Sequence, residues 1–337
     1  MSLGSRPVRM AIVGTGAIAQ VAHLPILTRM RGVEVATLFD ADLTKARAIA
    51  ERFGVPTAPR SISEIWDDED VDAVIICTPN HLHEEQVAAA IDAGKFVLCE
   101  KPLALDAAGT KRLLERDGAA ERLMVGMNQR FRPDAASLKS FVAGGELGDV
   151  FYLRAGWLIR RVLPAGRSWR QQKRDSGGGA LMDLGLQMLD LSLWLLDYPE
   201  PVRVSAHIHS GGEDEVEDSA VLLLHLEGNR VLNLEVTWAL RSDRERQYVH
   251  LLGSSGSGSL GPLKVYKEMD SGLVDFTPQL APGRENQYTA SYRQQLTTFV
   301  DLVRGERQND PPREQIALMR IAEAAYLSAQ KGGEVAL

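Results

Sequence analysis

Short apolar runs alternate with helical patterns over roughly the first 125 residues, and this alternation constrains the fold more than any other feature. The strand-like runs are Val8–Val13, Val33–Phe39, Ala73–Cys77, Phe96–Cys99 and Leu123–Gly126. Helical patterns lie at 17–30, 43–53, 84–93 and 107–116, and glycines at 32, 54, 94 and 118 stand where helix ends need a positive φ. A helix between successive buried strands predicts a parallel sheet that is covered on both faces, as in a doubly wound α/β (Rossmann) fold.

The pattern changes near Asp149, which predicts a second domain. A strand at Val150–Leu158 and an amphipathic helix at Ala180–Leu196 precede four runs without interleaved helices, at 202–209, 219–227, 230–240 and 248–252. Such runs predict an α+β domain with a large open, mostly antiparallel sheet. The sequence thus predicts a nucleotide-binding domain at 1–127 and a substrate-binding and oligomerisation domain at 128–337.

Three local features complete this prediction for the second half. Glu227–Arg230 contains Gly-Asn and indicates a hairpin turn between two strands. The glycine- and serine-rich stretch Gly253–Gly258 is interpreted as a loop inside the domain. Helices at Tyr292–Arg304 and Arg313–Gln330 close the chain, and they are candidates for packing back on the first domain.

Composition excludes several classes of partner. Hydrophobic residues make up 45% and charged residues 25%, and the formal net charge of −7 argues against nucleic acid or an anionic membrane as the main partner. No apolar run approaches the ~20 residues needed to cross a bilayer. The two cysteines, Cys77 and Cys99, form no spaced framework, so we expect no disulfide, no metal site and a cytoplasmic location.

A glycine turn follows the first strand, with the sequence Gly14-Thr15-Gly16-Ala17-Ile18-Ala19. In this G-x-G-x-x-A form the first glycine permits the tight turn, and the second lets a pyrophosphate approach the backbone at the start of a helix. Asp40 ends the next strand about 26 residues after Gly14, near the position of an acid that binds ribose hydroxyls and repels a 2′-phosphate. The turn therefore predicts NAD in preference to NADP. The alternative is a plain strand–turn–helix in which Asp40 is a cap.

Glu100-Lys101-Pro102 follows the apolar run that ends at Cys99. Ligands of open α/β sheets bind outside the carboxyl ends of the strands, so Lys101 is expected beside the dinucleotide. An ammonium group near a positively charged nicotinamide has a depressed pKa and can exchange the proton of an alcohol. The sequence predicts Lys101 as an acid/base for hydride chemistry. A surface lysine on a strand-end loop is the alternative.

The motifs Gly14–Ala19, Cys77–His83, Ala93–Pro102, Val125–Phe131 and Ser176–Gly185 together resemble the glucose–fructose oxidoreductase / inositol dehydrogenase / MocA (Gfo/Idh/MocA) family over nearly the whole chain. The resemblance implies an oxidoreductase that uses NAD(P) and a C-terminal sheet that forms a homodimer or homotetramer interface. It also implies a cis Lys101–Pro102 bond. The cofactor-binding residues that it and the glycine turn predict are Gly14, Gly16, Ala17, Ile18, Asp40, Thr78, Pro79, Asn80, His83, Glu100, Lys101, Asn128, Trp169 and Arg170.

The predicted substrate helix departs from the family pattern. Sugar and cyclitol dehydrogenases of this family carry D-x-G-x-H, whereas this chain has Asp183-Leu184-Gly185-Leu186-Gln187. Asp183 and Gln187 are four positions apart and share a helix face, but an amide cannot accept the proton that histidine takes. The predicted catalytic residues are therefore Lys101, Asp183 and Gln187, and proton transfer rests on Lys101. The glycines Gly177–Gly179 favour close approach of a ligand, while Asp183 as a helix-start cap is the alternative.

A basic run precedes this helix and comprises Arg154, Arg160, Arg161, Arg167, Arg170, Lys173 and Arg174. Part of it is expected to serve the cofactor phosphates, and the rest suits either an anionic substrate group or ordinary solvated loop charge. The expected substrate is a sugar, cyclitol or sugar acid. The rival functions are an NAD-retaining glycosidase and a redox-silent sensor of the same fold. Intact Glu100-Lys101-Pro102 argues against the silent protein.

Overall fold

The computed structural model describes residues 6–161, 168–210, 216–279 and 285–337. The chain forms two compact units. The first comprises Met1–Asn128 and Tyr288–Gln315, and the second comprises Gln129–Gln287 and Ile316–Leu337. In the described ranges no helix is both long and apolar enough to span a membrane.

The first unit is built on a parallel sheet of five strands in the order β2-β1-β3-β4-β5. The strands are β1 Val8–Val13, β2 Val33–Phe39, β3 Ala73–Ile76, β4 Phe96–Glu100 and β5 Leu123–Gly126. β1 pairs in parallel with β2 and β3, and β3–β4 and β4–β5 continue the parallel ladder. The doubly wound α/β prediction is confirmed, and so are the positive φ angles of 70°, 71°, 75° and 82° at Gly32, Gly54, Gly94 and Gly118.

Helices cover this sheet at Leu43–Phe53, Ser63–Trp66, His83–Asp92, Ala107–Leu114 and Ala119–Arg122. The helix after the glycine turn is shorter than the predicted 17–30. Helical backbone starts at residue 17, as predicted, is π-helical at Ala19–His23 and ends as α-helix at Leu24–Leu27. Pro25 has no N–H to donate to a carbonyl of the preceding turn, and this missing donor accompanies the change of helix type.

Helix Gln287–Val303 belongs largely to the first unit although it lies far along the sequence. Its side chains Tyr292, Leu296 and Phe299 are buried in the same hydrophobic cluster as Met10 and Ile12 of β1. The chain after this helix remains attached, because the Asn309 side-chain amide donates to the backbone oxygen of Leu123 at the start of β5 (2.9 Å).

The second unit is built on a nine-stranded sheet in the order β13-β12-β11-β10-β6-β9-β8-β7-β14. Its strands are β6 Val150–Leu158, β7 Pro201–His209, β8 Ser219–Leu226, β9 Arg230–Thr237, β10 Arg246–Gly253, β11 Gly256–Leu260, β12 Lys264–Met269, β13 Gly272–Asp275 and β14 Val335–Ala336. The β6–β9 pair is parallel and the other pairs are antiparallel, which confirms the mostly antiparallel sheet. The β8–β9 hairpin has the predicted turn, with positive φ at Gly228 (70°) and Asn229 (58°).

The loop prediction for Gly253–Gly258 is wrong, because Gly256–Leu260 is strand β11. A Cβ at Gly258 would lie 2.5 Å from Cδ1 of Leu138. The absence of a side chain lets Leu138 of helix Pro133–Ala143 lie close to this strand, and the linker-like composition was the misleading signal.

The helix predicted at Ala180–Leu196 consists of a π-helical turn, Leu181–Gly185, followed by α-helix Leu186–Leu195. It is buried on most sides rather than amphipathic, since eight of the residues from Leu186 to Leu195 are buried. The other α-helices in the described part of this unit are Pro133–Ala143, Lys173–Ser176 and most of Glu314–Lys331.

Candidate functional site

The carboxyl ends of all five parallel strands in the first unit lead into residues that the sequence predicts for the cofactor site. Gly14 follows β1, Asp40 follows β2, Thr78 lies just beyond β3, Lys101 follows β4 and Asn128 lies just beyond β5. These ends share one edge of a parallel sheet, and that edge is where α/β proteins bind ligands.

The glycine turn has one crowded and one open position. Gly14 has φ +92°, and a Cβ there would lie 2.8 Å from the backbone carbonyl of Cys77, so the end of β3 leaves no room for a side chain. A Cβ at Gly16 would meet nothing within 4 Å. Gly16 is therefore not required by internal packing, and the space beside its backbone fits the approach of a cofactor pyrophosphate.

The carboxylate of Asp40 ties the glycine turn to the end of β2. Its Oδ2 accepts hydrogen bonds from the backbone N–H and the hydroxyl of Thr15 (both 2.8 Å) and from Nζ of Lys45 (2.7 Å). Burial acts to raise the pKa of Asp40, but the hydrogen bonds from Lys45 and Thr15 outweigh it and lower that pKa below its ordinary value. Asp40 is not the N-cap of helix Leu43–Phe53, because Asp42 is, but its Oδ1 accepts from the N–H of Asp42 (3.1 Å).

His83 joins the ends of β3 and β4. Its Nδ1 lies 2.7 Å from the backbone oxygen of Pro102, and its Nε2 lies 2.9 Å from that of Thr78. The side chain is almost fully buried, and burial lowers its pKa, against the opposing effect of the two carbonyl oxygens. His83 thus lies between the backbone oxygens of Thr78 and Pro102, and the neutral ring, with one N–H, donates to one of them. The Lys101–Pro102 bond is cis, as expected, and Lys101 itself is half-buried.

Glu100 lies in a buried cluster behind Lys101. Its Oε1 is 2.8 Å from Nε2 of His23, which is wholly buried, and the His23 ring meets the Tyr292 ring edge-on at 5.5 Å. Burial, reinforced by the charge of Glu100, raises the pKa of Tyr292 well above its ordinary value. No sequence motif indicates a role for Tyr292, since nothing near it in the chain marks helix Gln287–Val303 as a partner of β4.

Asn128 is buried and donates its side-chain amide to the hydroxyl of Ser291 (2.9 Å). One of its two amide hydrogens is therefore committed within the first unit. Its predicted role as a cofactor-binding residue stays a prediction.

In the second unit, Asp183 and Gln187 both lie on the helix of residues 181–195, which we call the site helix. Asp183 Oδ2 accepts a hydrogen bond from Nη1 of Arg161 (2.6 Å), and the guanidinium of Arg161 lies over the Trp238 ring at 4.8 Å. The Gln187 amide donates to the backbone oxygen of Asp183 (3.2 Å), which leaves its oxygen as the acceptor.

The alternative that Asp183 caps this helix is wrong. Its own N–H bonds the oxygen of Gly179 (2.9 Å), so Asp183 lies inside the helix. The donors at the helix start are taken by Glu217 instead, since its carboxylate accepts from the N–H groups of Gly179 and Leu181 (both 2.9 Å).

The expectation that Gly177–Gly179 admit a ligand is wrong for two of the three glycines. A Cβ at Gly178 would lie 1.9 Å from the Tyr326 hydroxyl, and one at Gly179 would lie 1.8 Å from the backbone oxygen of Glu217. The space beside them is filled by the protein itself. Gly179 and Glu217 are 38 residues apart and Glu217 and Tyr326 are 109 residues apart, so no local signal could indicate these contacts.

The basic run is dispersed rather than gathered at one place. Arg161 pairs with Asp183, Arg154 pairs with Glu235 on the sheet (3.0 Å), and Arg174 pairs with its neighbour Asp175 (3.3 Å). Arg167 lies outside the described residues.

Arg170 lies over the ring of Trp169 at 4.3 Å. Burial lowers the pKa of Arg170, Asp183 opposes that shift and Arg161 adds to it. The three charged groups therefore act on one another within the second unit.

Two family profiles match this chain. An oxidoreductase family with an NAD-binding Rossmann fold matches residues 8–127, and the GFO/IDH/MocA C-terminal domain matches residues 135–259. The chain belongs to the Gfo/Idh/MocA family.

Relatives of the family are similar to the chain over its full length. It is 27% identical to the D-glucoside 3-dehydrogenase of Escherichia coli K12, with 100% of this chain and 99% of that protein covered. It is 26% identical to the inositol 2-dehydrogenase of Rhizobium meliloti strain 1021, with 98% and 99% covered. Among solved structures, GenD2 from gentamicin A biosynthesis, in complex with NAD, is 27% identical with a TM-score of 0.84, covering 98% of this chain and 97% of that one.

This Gfo/Idh/MocA protein is an NAD-binding oxidoreductase, and its own geometry fits the cofactor. Gly16 leaves the open space that a pyrophosphate needs, and Asp40 stands at the end of β2 beside the turn. When bound, NAD would supply the hydride acceptor. In the described residues no group of three or more His, Cys, Asp or Glu side chains could hold a metal ion.

Proposed function

We propose that this protein transfers a hydride between NAD and a hydroxyl or keto carbon of a sugar or cyclitol, with Lys101 as the acid/base. The observation that carries the proposal is the position of Lys101. It follows β4 at the strand edge that also presents the open backbone of Gly16 and the carboxylate of Asp40. The named activities of the relatives, a glucoside dehydrogenase and an inositol dehydrogenase, support the substrate class.

In the proposed reaction, Lys101 accepts and returns the proton of the substrate hydroxyl group. In oxidation of an alcohol, bound NAD would accept the hydride from the carbinol C–H bond, and Lys101 would take the proton of the O–H bond. In the reverse direction the ammonium polarises the ketone oxygen and returns the proton. The buried cluster of Glu100, His23 and Tyr292 holds the backbone that presents this lysine.

Asp183 and Gln187 bind substrate hydroxyl groups in this proposal. Asp183 presents a carboxylate that Arg161 also contacts, and Gln187 offers an amide oxygen. Neither arrangement provides a neutral imidazole, so the proton transfer rests on Lys101. Three arginines of the basic run pair with acids of this chain. An uncharged polyol is therefore favoured over a sugar acid, and Arg170 is one cation of the described residues that would suit an anionic group.

The proposal also includes NAD in preference to NADP, on the grounds of Asp40, and assembly through the open sheet. Exposed apolar side chains on that sheet support a homodimer or homotetramer: Phe151 and Leu252 are 48% and 43% exposed, and Val221 and Leu223 are 47% and 40% exposed. The two cysteines are free and buried, which suits the cytoplasm. Light scattering of the purified protein measures the assembly.

Replacement of Lys101 tests the proposed function. In Lys101→Met we expect turnover of a methyl glucoside or myo-inositol to fall at least about 100-fold, because a positioned acid/base contributes roughly that much. The Kd of NAD should stay nearly unchanged, since the lysine acts on the substrate oxygen. NADH absorbance measures turnover and calorimetry measures binding.

Lys111→Met is the matched control, because that lysine is exposed on helix Ala107–Leu114. It should leave both quantities unchanged. Unaltered turnover in Lys101→Met would contradict the assignment. Release of a sugar leaving group without net NADH would favour the glycosidase, and tight NAD binding with no reaction would favour the silent sensor.

A further inference from the structure

Glu217 is a buried carboxylate that accepts several hydrogen bonds, and it belongs to none of the sequence motifs described above. It is 3% exposed and lies just before β8. Its oxygens accept from the N–H of Gly179 (2.9 Å to each), the N–H of Leu181 (2.9 Å) and the hydroxyl of Tyr326 (2.9 Å). These donors compensate for the removal of the charge from water.

The two N–H groups belong to the start of the helix that carries Asp183 and Gln187. The first N–H groups of a helix have no partner within it, and the positive end of the helix dipole also favours an anion there. Glu217 supplies that anion from a distant part of the chain, and its own backbone oxygen accepts from the N–H of Ala180 (3.0 Å). The helix start is therefore fixed by one residue through both its side chain and its backbone.

The contacts continue from Glu217 to the proposed substrate-binding groups. Gly179 donates its N–H to Glu217 and accepts at its oxygen from the N–H of Asp183 (2.9 Å). Asp183 in turn accepts at its backbone oxygen from the amide of Gln187 (3.2 Å). A shift of Gly179 would therefore move Asp183 directly, and with it the oxygen that orients Gln187.

Neighbouring residues leave this arrangement little freedom. The Gly178 and Gly179 positions have no room for a Cβ, because the Tyr326 hydroxyl and the Glu217 backbone fill that space. Tyr326 is held in turn by Lys173, whose ammonium lies 5.3 Å from the ring centroid. Burial and the Glu217 charge raise the pKa of Tyr326, so its hydroxyl stays protonated and remains a donor.

We propose that Glu217, clamped by Tyr326, is a positioning residue that sets the location of Asp183 and Gln187 and thereby the affinity for the substrate. The inference rests on the proposed function of those two side chains. It predicts an effect on substrate binding that is separate from NAD binding. The predicted cofactor residues Gly16 and Asp40 lie in the first unit, and Trp169 and Arg170 are not among the described residues that bond Glu217.

Substitutions at both positions test this inference. In Glu217→Gln, one acceptor is replaced by an NH₂ group that faces donors, and we expect the KM for methyl glucoside or myo-inositol to rise about 10- to 100-fold. In Tyr326→Phe, which removes one hydroxyl and keeps the ring, we expect a smaller rise in KM. In both variants kcat and the Kd of NAD should change little, because an interaction that serves substrate binding alone affects KM.

Tyr248→Phe is the matched control. Tyr248 also donates its hydroxyl to a glutamate, Glu235, but that pair lies on strands β10 and β9 and makes no hydrogen bond to the site helix. The control should leave the substrate KM unchanged even if it lowers the free energy of unfolding. Urea unfolding of all three variants separates loss of stability from loss of substrate affinity.

The outcomes are distinct. The inference is supported if the KM rises in Tyr326→Phe and does not rise in the Tyr248→Phe control. This comparison can be made even if Glu217→Gln fails to fold. A lowered free energy of unfolding with an unchanged KM overturns it and leaves Glu217 a purely structural anchor. A parallel loss of NAD affinity also overturns it. If the wild-type protein oxidises neither polyol, the proposed function fails and this inference fails with it.

Discussion

Replacing Gly16 by alanine distinguishes two reasons for a glycine in this turn, which are packing within the protein and space for the cofactor pyrophosphate. The change adds one methyl group at a backbone position that is not in the left-handed region, and the new Cβ meets no protein atom within 4 Å. The fold should tolerate it. Alanine at a compatible site restricts the unfolded chain, so the free energy of unfolding should be unchanged or higher by up to about 1 kcal/mol.

The cost should appear in cofactor binding. The methyl group enters the space that we assign to the pyrophosphate, and overfilling a packed contact costs about 1–3 kcal/mol. That range corresponds to a Kd for NAD about 5- to 150-fold weaker. Calorimetric titration with NAD measures the affinity, and urea unfolding of the same sample measures stability.

Gly14→Ala is the matched comparison within the same turn. There φ is +92° and the Cβ would lie 2.8 Å from the Cys77 carbonyl, so we expect it to lower the free energy of unfolding by more than about 2 kcal/mol. The reasoning would be refuted if Gly16→Ala bound NAD as the wild type does. It would also be refuted if both variants lost similar stability.

Three other substitutions test single steps. Asp40→Ala removes the carboxylate that neutralises Lys45, so the ratio of NADP to NAD affinity should rise about tenfold, and an unaltered ratio would mean that another residue guards the ribose. Gln187→His restores a proton acceptor, and turnover of an inositol or hexose should rise by about tenfold or more; no gain would indicate a different substrate pose. His83 has a lowered pKa in the folded state, so the unfolded chain binds a proton first as the pH falls below the ordinary value of 6.5, and stability declines there. His83→Gln should therefore lose less stability than the wild type between about pH 7.5 and about pH 5.5, and equal losses in urea unfolding would contradict this.

The part of the molecule that could be predicted consists of features with a local physical cause. The strands from Val8–Val13 to Leu123–Gly126 were identified because a buried strand needs a short apolar run, and the turn at Gly228-Asn229 because both residues tolerate a positive φ. Gly14 belongs to the same class. Its sequence context, after a strand and before a helix, already carries the conformational demand that the structure shows.

Other local signals had two explanations, and only packing chose between them. Gly256–Gly258 has the composition of a linker but forms part of strand β11, because Leu138 of a neighbouring helix needs the space. Gly178 and Gly179 look like residues that admit a ligand, but they admit Tyr326 and Glu217. A glycine can indicate a close approach to the backbone, but it does not indicate whether a ligand or another part of the protein makes that approach.

The alternation of strand and helix patterns, together with the motifs, was enough to predict a dinucleotide-binding α/β unit, an open sheet and a lysine at a strand end. These features depend on hydrophobic periodicity and φ requirements, which act over a few residues. The tertiary structure alone decided which groups hold those elements in place. Arg161 meets Asp183 across 22 residues, Glu217 meets Gly179 across 38, and His23 meets Glu100 across 77. Such contacts depend on how whole helices and strands pack together. The sequence on either side of each residue therefore carries no signal of its partner.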